Sequence, residues 1–599
     1  MRETIKKLLY LLPDGDSYKI TVLFIMMMIA AGLEVIGIGM IPAFVSIVAA
    51  PEQVLEYEPI QGILSVLEIT DSQDLLIWGS VALLGIFILK SLYIIFFNYI
   101  ESNFIYNRRY LISHRLMSSY MQAPYTFHLK RNTAELLRNI TQEVNIVVNI
   151  VFTNILKMAR EGIMVISILT FLLVMEPFIT LLVIALSIFG SGTFLYLTQK
   201  RVKKSGSEEQ EHRRNMIKAV NQGLGGIKDA RVLNRENEFI EKFRLEAYKS
   251  SRLMAYLRYI KQIPKPVVET TAVLGMMLIA ALMLWQGRTM GAIIPILTLF
   301  AMATVRLMPA VQSLSSLYTN LRYNLVAIDP VYEDFRILEN SRTKFLDDRK
   351  KKESLSLRDG INAKNVSYSY PESEEYALKN ISFEIPKGQA IAFVGESGAG
   401  KTTIVDLILG LLDPKEGTIS VDGKDIHSHL SAWQQNIGYI PQSIYMADET
   451  LRNNIAFGIP EEEIDDEKVW QAAELAQLAA TIKSLPNSLD TMIGEHGTRL
   501  SGGQRQRVGI ARALYHDPGV LVMDEATSAL DNVTEKEITR SIEALKGERT
   551  VIIIAHRLTT VENCDSLYLM KDGKIVDDGD YKELIRKNEE FRKMALVND

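Results

Sequence analysis

Gly395-Glu396-Ser397-Gly398-Ala399-Gly400-Lys401-Thr402 (GESGAGKT) fits G-x-x-x-x-G-K-[ST], the pattern of a phosphate-binding loop. The short apolar run before it, residues 389–394 (QAIAFV), predicts a strand, and residues 403–412 (TIVDLILGLL) predict a helix. A glycine-rich loop between strand and helix aims backbone N–H groups and a helix N-terminus at an anion. In that setting Lys401 reaches the β and γ phosphates of a nucleotide, Thr402 offers its hydroxyl to Mg²⁺, and Thr403 completes the cradle.

At 599 residues the chain is too long for one core, so several domains are expected. The averages, 48% hydrophobic and 23% charged, hide a split. Long apolar runs fill residues 1–330, and residues 361–599 are mixed and charged, with 331–360 between them as a linker. Its second part, 341–360 (SRTKFLDDRKKKESLSLRDG), is charged and lacks apolar periodicity. A net charge of −5 gives no sign of a nucleic-acid binder. With Cys564 alone there is no intrachain disulfide and no cysteine metal cluster. The start, MRETIKKLLYLL, lacks the form of a cleavable signal and reads as an amphipathic helix on a membrane surface.

Six apolar stretches are long enough to span a bilayer, near 20–48, 75–100, 150–175, 178–199, 266–287 and 291–313. Tight turns are expected at 175–177 and 287–291. Residues 50–74 hold six acids and no Lys or Arg. The stretch 101–145 carries Arg108, Arg109, Arg115, Lys130, Arg131 and Arg138, and 200–262 is similarly basic. The positive-inside tendency therefore puts both basic loops and both termini in the cytoplasm. Short helices are expected at the loop tips, 123–138 and 223–236. In the outer loop, 59–69 (PIQGILSVLEI) is a candidate amphipathic external helix, lying at the lipid interface or packing on its own domain.

Ionisable residues inside spans are costly and often functional. Glu34, Lys90 and Arg306 fall in the first, second and sixth spans. Lys157 and Arg160 open the third and Lys265 the fifth, where a side chain such as Lys157 or Lys265 can reach the surface. For Lys90 and Arg306 two readings stand: pairing with a carboxylate such as Glu34, or facing an aqueous cavity and an anionic substrate.

Further motifs follow the phosphate loop in order. Residues 437–441 (IGYIP) predict a strand, then comes Gln442. Leu500-Ser501-Gly502-Gly503-Gln504 precedes an Arg-rich helical run. The strand 519–523 (GVLVM) ends in Asp524-Glu525, and Ser528-Ala529-Leu530-Asp531 follows. The strand 551–555 (VIIIA) ends in His556. Ligands at strand ends suit a mostly parallel sheet. Asp524 suits Mg²⁺, and Glu525 suits the orientation and deprotonation of an attacking water. Gln442 is a neutral reporter of metal or water, and His556 can donate to a γ-phosphate. Ser501 and Gly503 stand before a helix, where N–H and hydroxyl suit a phosphate. Tyr370, just before Pro371, is the aromatic candidate for stacking on adenine.

This combination resembles the ATP-binding cassette (ABC) transporters, whose signature is LSGGQ, and the resemblance covers essentially the whole chain. It points to the exporter branch: an α-helical membrane domain of six long transmembrane helices, of type IV exporter fold, followed by an α/β P-loop ATPase cassette. The resemblance names Tyr370 as the aromatic loop, Gln442 as the Q-loop, Leu500 to Gln504 as the signature, Ser528 to Asp531 as the D-loop and His556 as the switch. It also implies that 123–138 and 223–236 contain coupling helices. No motif departs from the family pattern, which implies a working ATPase using ATP and Mg²⁺. One cassette with six helices is half a transporter, so the resemblance implies a homodimer with ATP sandwiched between cassettes, in the bacterial inner membrane.

The external loop and Arg306-Leu307-Met308-Pro309 resemble the lipid-linked oligosaccharide flippases of protein glycosylation. That likeness implies a polyprenyl-pyrophosphate sugar as cargo, with Lys90 and Arg306 as cavity cations. The alternative is a general lipid or multidrug exporter, which needs little fixed charge. A leader-cleaving exporter is disfavoured, since Cys564 is the one cysteine. A channel or regulatory subunit is disfavoured by the intact Glu525 and His556.

Overall fold

The computed structural model describes residues 2–12, 15–49, 51–55, 61, 71–287, 290–349, 355, 357–371, 373–524, 547–555 and 558–598. The chain divides into two compact units. One is Met1–Ser118 with Ala134–Arg336, and the other is Ser119–Thr133 with Ile337–Asp599.

The first unit is helical. Among the described residues four helices are long and apolar enough to cross a membrane: Asp16–Ala49, Ser72–Met121, Thr133–Met175 and Ile293–Glu339. They cover the first, second, third and sixth expected spans. The fourth and fifth fall on the helices Pro177–Gly225 and Pro264–Trp285, whose side chains are in part outside the description. The turn at 175–177 forms as expected: Glu176 leaves helical geometry and Pro177 opens the next helix. Gly287 turns the chain at φ +72°, while Arg288 and Thr289 lie outside the described residues.

Lipid-type solvation inverts the usual pattern on the helix Ser72–Met121. Ile77, Trp78, Val81, Leu84, Leu89 and Ile95 face outward, while Lys90, Glu101 and Arg108 are buried. A core of Ile38, Ile168, Leu172, Ile279, Met283 and Phe300 ties four of the long helices together. The third long helix holds a feature that residue periodicity does not reveal. Two π-helical segments, Asn139–Glu143 and Val147–Phe152, flank a short α-helical piece. Such insertions are rare and shift the register of every side chain beyond them.

The expected surface helix forms at Arg2–Leu11, but one face of it is committed to its own unit. Leu8 and Leu11 are buried, Lys7 pairs with Asp329 at 2.8 Å, and the Tyr10 ring meets Tyr332 edge-on at 5.1 Å. The segment expected as a linker is helical in its first part. Residues 331–349 belong to the helix Ile328–Arg349. Ile328, Val331, Phe335 and Leu338 are buried at helical spacing, and a helix with such a start extends into charged sequence at little cost. Residues 350–354 and 356 lie outside the described residues, as does the external segment 59–69 except for Gln61.

At the loop tips the short helices Tyr125–Lys130, Thr133–Arg138 and Ile227–Val232 form where expected. The first of these belongs to the second compact unit.

The second unit is built on two sheets. In chain order its strands are β1 (Gly360–Tyr368), β2 (Leu378–Pro386), β3 (Ala390–Gly395), β4 (Glu416–Val421), β5 (Lys424–Asp425) and β6 (Ile437–Ile440). Then come β7 (Val520–Asp524), β8 (Thr550–Ile554), β9 (Ser566–Lys571) and β10 (Lys574–Gly579). An antiparallel sheet runs β2-β1-β4-β5. The larger sheet runs β10-β9-β3-β8-β7-β6, parallel except for β10. In β3 alternate residues enter opposite cores, Ala392 and Val394 on one face and Ile391 and Phe393 on the other. Burial on both faces explains why this strand reads as a continuous apolar run.

Candidate functional site

Parallel pairing brings the expected ligands to one edge. Phe393 of β3 lies opposite Ile554 of β8, Ile554 opposite Asp524 of β7, and Met523 opposite Ile440 of β6. The residues that follow these carboxyl ends are the phosphate loop, Glu525, Gln442 and His556. Gln442 is exposed just beyond β6, and Asp524 is buried as the last residue of β7. Glu525, Ser528 to Asp531 and His556 lie outside the described residues.

The loop itself is shaped by glycine. Gly395 has φ +152°, and a Cβ there would lie 2.3 Å from the Met570 carbonyl oxygen. Gly400 has φ +101°, and a Cβ would lie 2.7 Å from Leu378 Cδ2. Both positions therefore need glycine. The helix Lys401–Ile408 starts directly behind, with Glu396, Ser397, Gly398 and Thr402 exposed at the loop and Ala399 buried beneath it. Lys401 Nζ folds back and donates to the carbonyls of Gly395 at 2.7 Å and Glu396 at 2.9 Å. Thr403 is buried, and its hydroxyl hydrogen-bonds the Tyr370 hydroxyl at 3.1 Å. Tyr370 also meets the Tyr368 ring edge-on at 5.2 Å. The candidate adenine-stacking ring is thus tethered to the phosphate-loop helix.

The signature opens the helix Gly502–Leu514 with a capping box. Gln504 N–H donates to Ser501 Oγ at 3.2 Å, and Ser501 N–H donates to Gln504 Oε1 at 2.8 Å. This refines the reading of Gln504 as a nucleotide ligand: its side-chain oxygen caps its own helix. The Ser501 hydroxyl, an acceptor in this box, keeps its proton to donate outward.

One acid at this edge was not singled out from sequence. Asp406 lies on the phosphate-loop helix and is 9% exposed. Burial first, and then the neighbouring Asp524, push its carboxyl up to about 6. Tyr439 on β6 is raised by burial and by the same two acids. Tyr125, on the loop-tip helix Tyr125–Lys130, is raised by burial, Asp406 and Tyr370. The signal was present in the sequence, since Asp406 interrupts the otherwise apolar TIVDLILGLL.

A glycine cradle, a lysine inside it, an exposed threonine at the helix start and a buried aspartate at the adjacent strand end fit ATP with Mg²⁺. Gly395 through Thr403 would hold the phosphates, and Thr402 with Asp524 the metal.

In the membrane unit the first of the two readings for Lys90 is realised. Its Nζ lies 2.8 Å from Glu34 Oε2, and Arg306 Nε lies 2.5 Å from Glu34 Oε1. Lys90 and Glu34 are buried, while the Arg306 side chain keeps 46% of its exposure. Arg160 pairs with Glu101 at 3.3 Å, so it is committed to a neighbouring helix. Lys157 is half-buried, and the Lys265 side chain lies outside the described residues. A further pair, buried Arg108 Nε to Asp16 Oδ2 at 2.5 Å, was not read from the sequence, where Arg108 counted only among the charges of the basic stretch 101–145.

Comparison with known proteins agrees with this geometry. The ABC transporter family profile matches residues 378–528, and the ABC transporter transmembrane region matches 36–307. An ATP-dependent lipid A-core flippase of Photorhabdus laumondii is 32% identical over 79% of this chain and 80% of its own length. A protein of the same name from Cupriavidus metallidurans is 31% identical over 78% of each chain. A solved bacterial Atm1-family ABC exporter with ATP bound superposes with a TM-score of 0.70 at 21% identity, over 97% of this chain and 98% of that one. Parallel-sheet edge, glycine cradle, helical membrane unit and relatives converge: the chain belongs to the ABC transporter family, as an ATP-hydrolysing exporter half-transporter with a helical membrane domain and a P-loop cassette.

Proposed function

We propose that the chain is a homodimeric flippase for a phosphate-bearing glycolipid in the bacterial cytoplasmic membrane. The observation that carries the cargo class is the set Glu34, Lys90 and Arg306, two cations on one carboxylate, with Arg306 half exposed at membrane depth. A guanidinium exposed there to lipid tails is costly, so an aqueous cavity and an acidic headgroup account for it. The names of the lipid A-core flippases support a glycolipid. The external loop and Arg306 to Pro309 support a polyprenyl-pyrophosphate oligosaccharide within that class. The basic loops support a cytoplasmic cassette and cytoplasmic termini.

At the nucleotide site, Lys401 leaves the loop carbonyls for the β and γ phosphates, and Tyr370 stacks on adenine. Thr402 and Asp524 hold Mg²⁺, assisted by Gln442; when bound, the ion neutralises the phosphate oxygens. Glu525 orients and deprotonates the attacking water, and His556 donates to the γ-phosphate. Ser501, Gly502 and Gly503 present a hydroxyl and N–H groups to the nucleotide of the second copy. Closure of the cassettes passes to the membrane helices through the loop-tip helices near 123–138 and 223–236.

The test is ATP hydrolysis in nanodiscs with a polyprenyl-pyrophosphate oligosaccharide, a lipid A or an uncharged glycolipid. Stimulation by a phosphate-bearing lipid, lost in Arg306→Ala, is expected. The stronger of the two phosphate lipids identifies the cargo. Equal response to the uncharged lipid would favour the general exporter.

A further inference from the structure

Glu34 sits between two cations that differ in surroundings. Around Lys90 the site is closed. Its ammonium stands 5.0 Å from the centre of the Phe87 ring, and a Cβ on Gly37 would lie 3.5 Å from Nζ. Lys90 is 4% exposed, so its ammonium is closed to a headgroup. Arg306 is different: its side chain is 46% exposed, and Glu34 meets it through Nε. That exposure leaves part of the side chain open, and a guanidinium suits a phosphate.

The charges matter as much as the geometry. One carboxylate and two cations leave a net positive charge, which is costly in a membrane interior. If an external anion takes Arg306, Glu34 is left with Lys90 as a balanced buried pair, and the anion balances the arginine. If the anion leaves, Glu34 recaptures Arg306. Each arrangement keeps every charge partnered.

Resting on the phosphate-bearing cargo proposed above, we infer that Glu34 is a built-in competitor for the substrate's phosphate at Arg306, setting an affinity loose enough for release. Lys90 is a positioning residue that anchors Glu34. Arg306 is the group that the substrate touches.

The test compares ATPase stimulation in nanodiscs across a titration of lipid A, and separately of a polyprenyl-pyrophosphate oligosaccharide, for the unaltered protein and Glu34→Gln. Glu34→Gln should lower the half-stimulating concentration by about tenfold, the scale of one charge-assisted contact. A structural defect does not tighten binding, so an unchanged or raised concentration overturns the inference. Glu34→Gln/Lys90→Met restores the native net charge without the competing carboxylate. It serves as well should the single variant fail to fold. It should show the same lowered value, and a return to the native value would mean that net charge alone matters and would also overturn the inference. Absence of stimulation in the unaltered protein removes the cargo reading itself. Stimulation there with no shift in either variant removes the competitor and leaves the cargo standing.

Discussion

Two buried carboxylates, one in each compact unit, show how differently the halves of this molecule manage charge. In the membrane unit Glu34 lies between Lys90 and Arg306. In the cassette Asp406 is also buried, but the charged neighbour acting on it is another acid, Asp524. Where the solvent is lipid, buried charge is matched by side chains of neighbouring helices, as Asp16 with Arg108 also shows. At the nucleotide edge two acids, Asp406 and Asp524, act on one another beside the phosphate loop, an arrangement that suits a divalent ion and phosphates.

That contrast can be broken by substitution. The largest effect is expected in the membrane unit. Arg108→Met leaves the buried Asp16 carboxylate to the more distant, exposed Lys19 at 3.8 Å and should destabilise the unit by about 3 kcal/mol, and adding Asp16→Asn should recover most of it. Thermal unfolding of the detergent-purified protein measures both, and equal losses would show that the pair is not what holds these helices. In the cassette the sign reverses. The Asp406 carboxyl is raised from 3.8 to about 6, so the folded chain holds a proton that the unfolded chain has already released. Stability therefore falls as pH rises from near 4 to about 6 and is level above. Asp406→Asn should remove that slope and stabilise the cassette by about 2 kcal/mol at neutral pH. Hydrogen exchange at β3 and β7, across that pH range, is the measurement; an unchanged slope would place the charge elsewhere.

Smaller effects concern the hydrogen bonds of the edge. Ser501→Ala removes the signature helix cap and should cost about 1 kcal/mol, seen as faster exchange in the first turn of Gly502–Leu514. Thr403→Val removes the Tyr370 tether for about 0.5–1 kcal/mol. The same hydroxyl belongs to the phosphate cradle, so this variant should also weaken ATP binding, measured by fluorescent-nucleotide titration.

The cassette was far more legible in the sequence than the membrane unit. GESGAGKT, LSGGQ and the strand runs ending in Asp524-Glu525 and His556 are local patterns, because phosphate binding is done by contiguous backbone and by strand ends. Burial on both faces wrote β3, β7 and β8 as apolar runs. In the membrane unit the helices were legible from length and apolarity, but charge partners were not. Pairing of Glu34 with Lys90 and Arg306 spans three helices, and nothing local distinguishes it from a cavity-facing cation. The π segments at Asn139–Glu143 and Val147–Phe152 likewise have no local mark, since their extra residues are accommodated by tertiary packing. The helical form of the expected linker's first part was not legible, because charge at 341–349 masked a helix begun by buried Ile328, Val331 and Phe335.

The most direct test of the account is ATP-dependent movement of a labelled phosphate-bearing glycolipid between leaflets of proteoliposomes, for the unaltered chain and Glu525→Gln. The account predicts movement that requires ATP and is nearly abolished by Glu525→Gln, about a hundredfold or more slower. Movement that persists at the same rate in Glu525→Gln, or that needs no ATP, would contradict it.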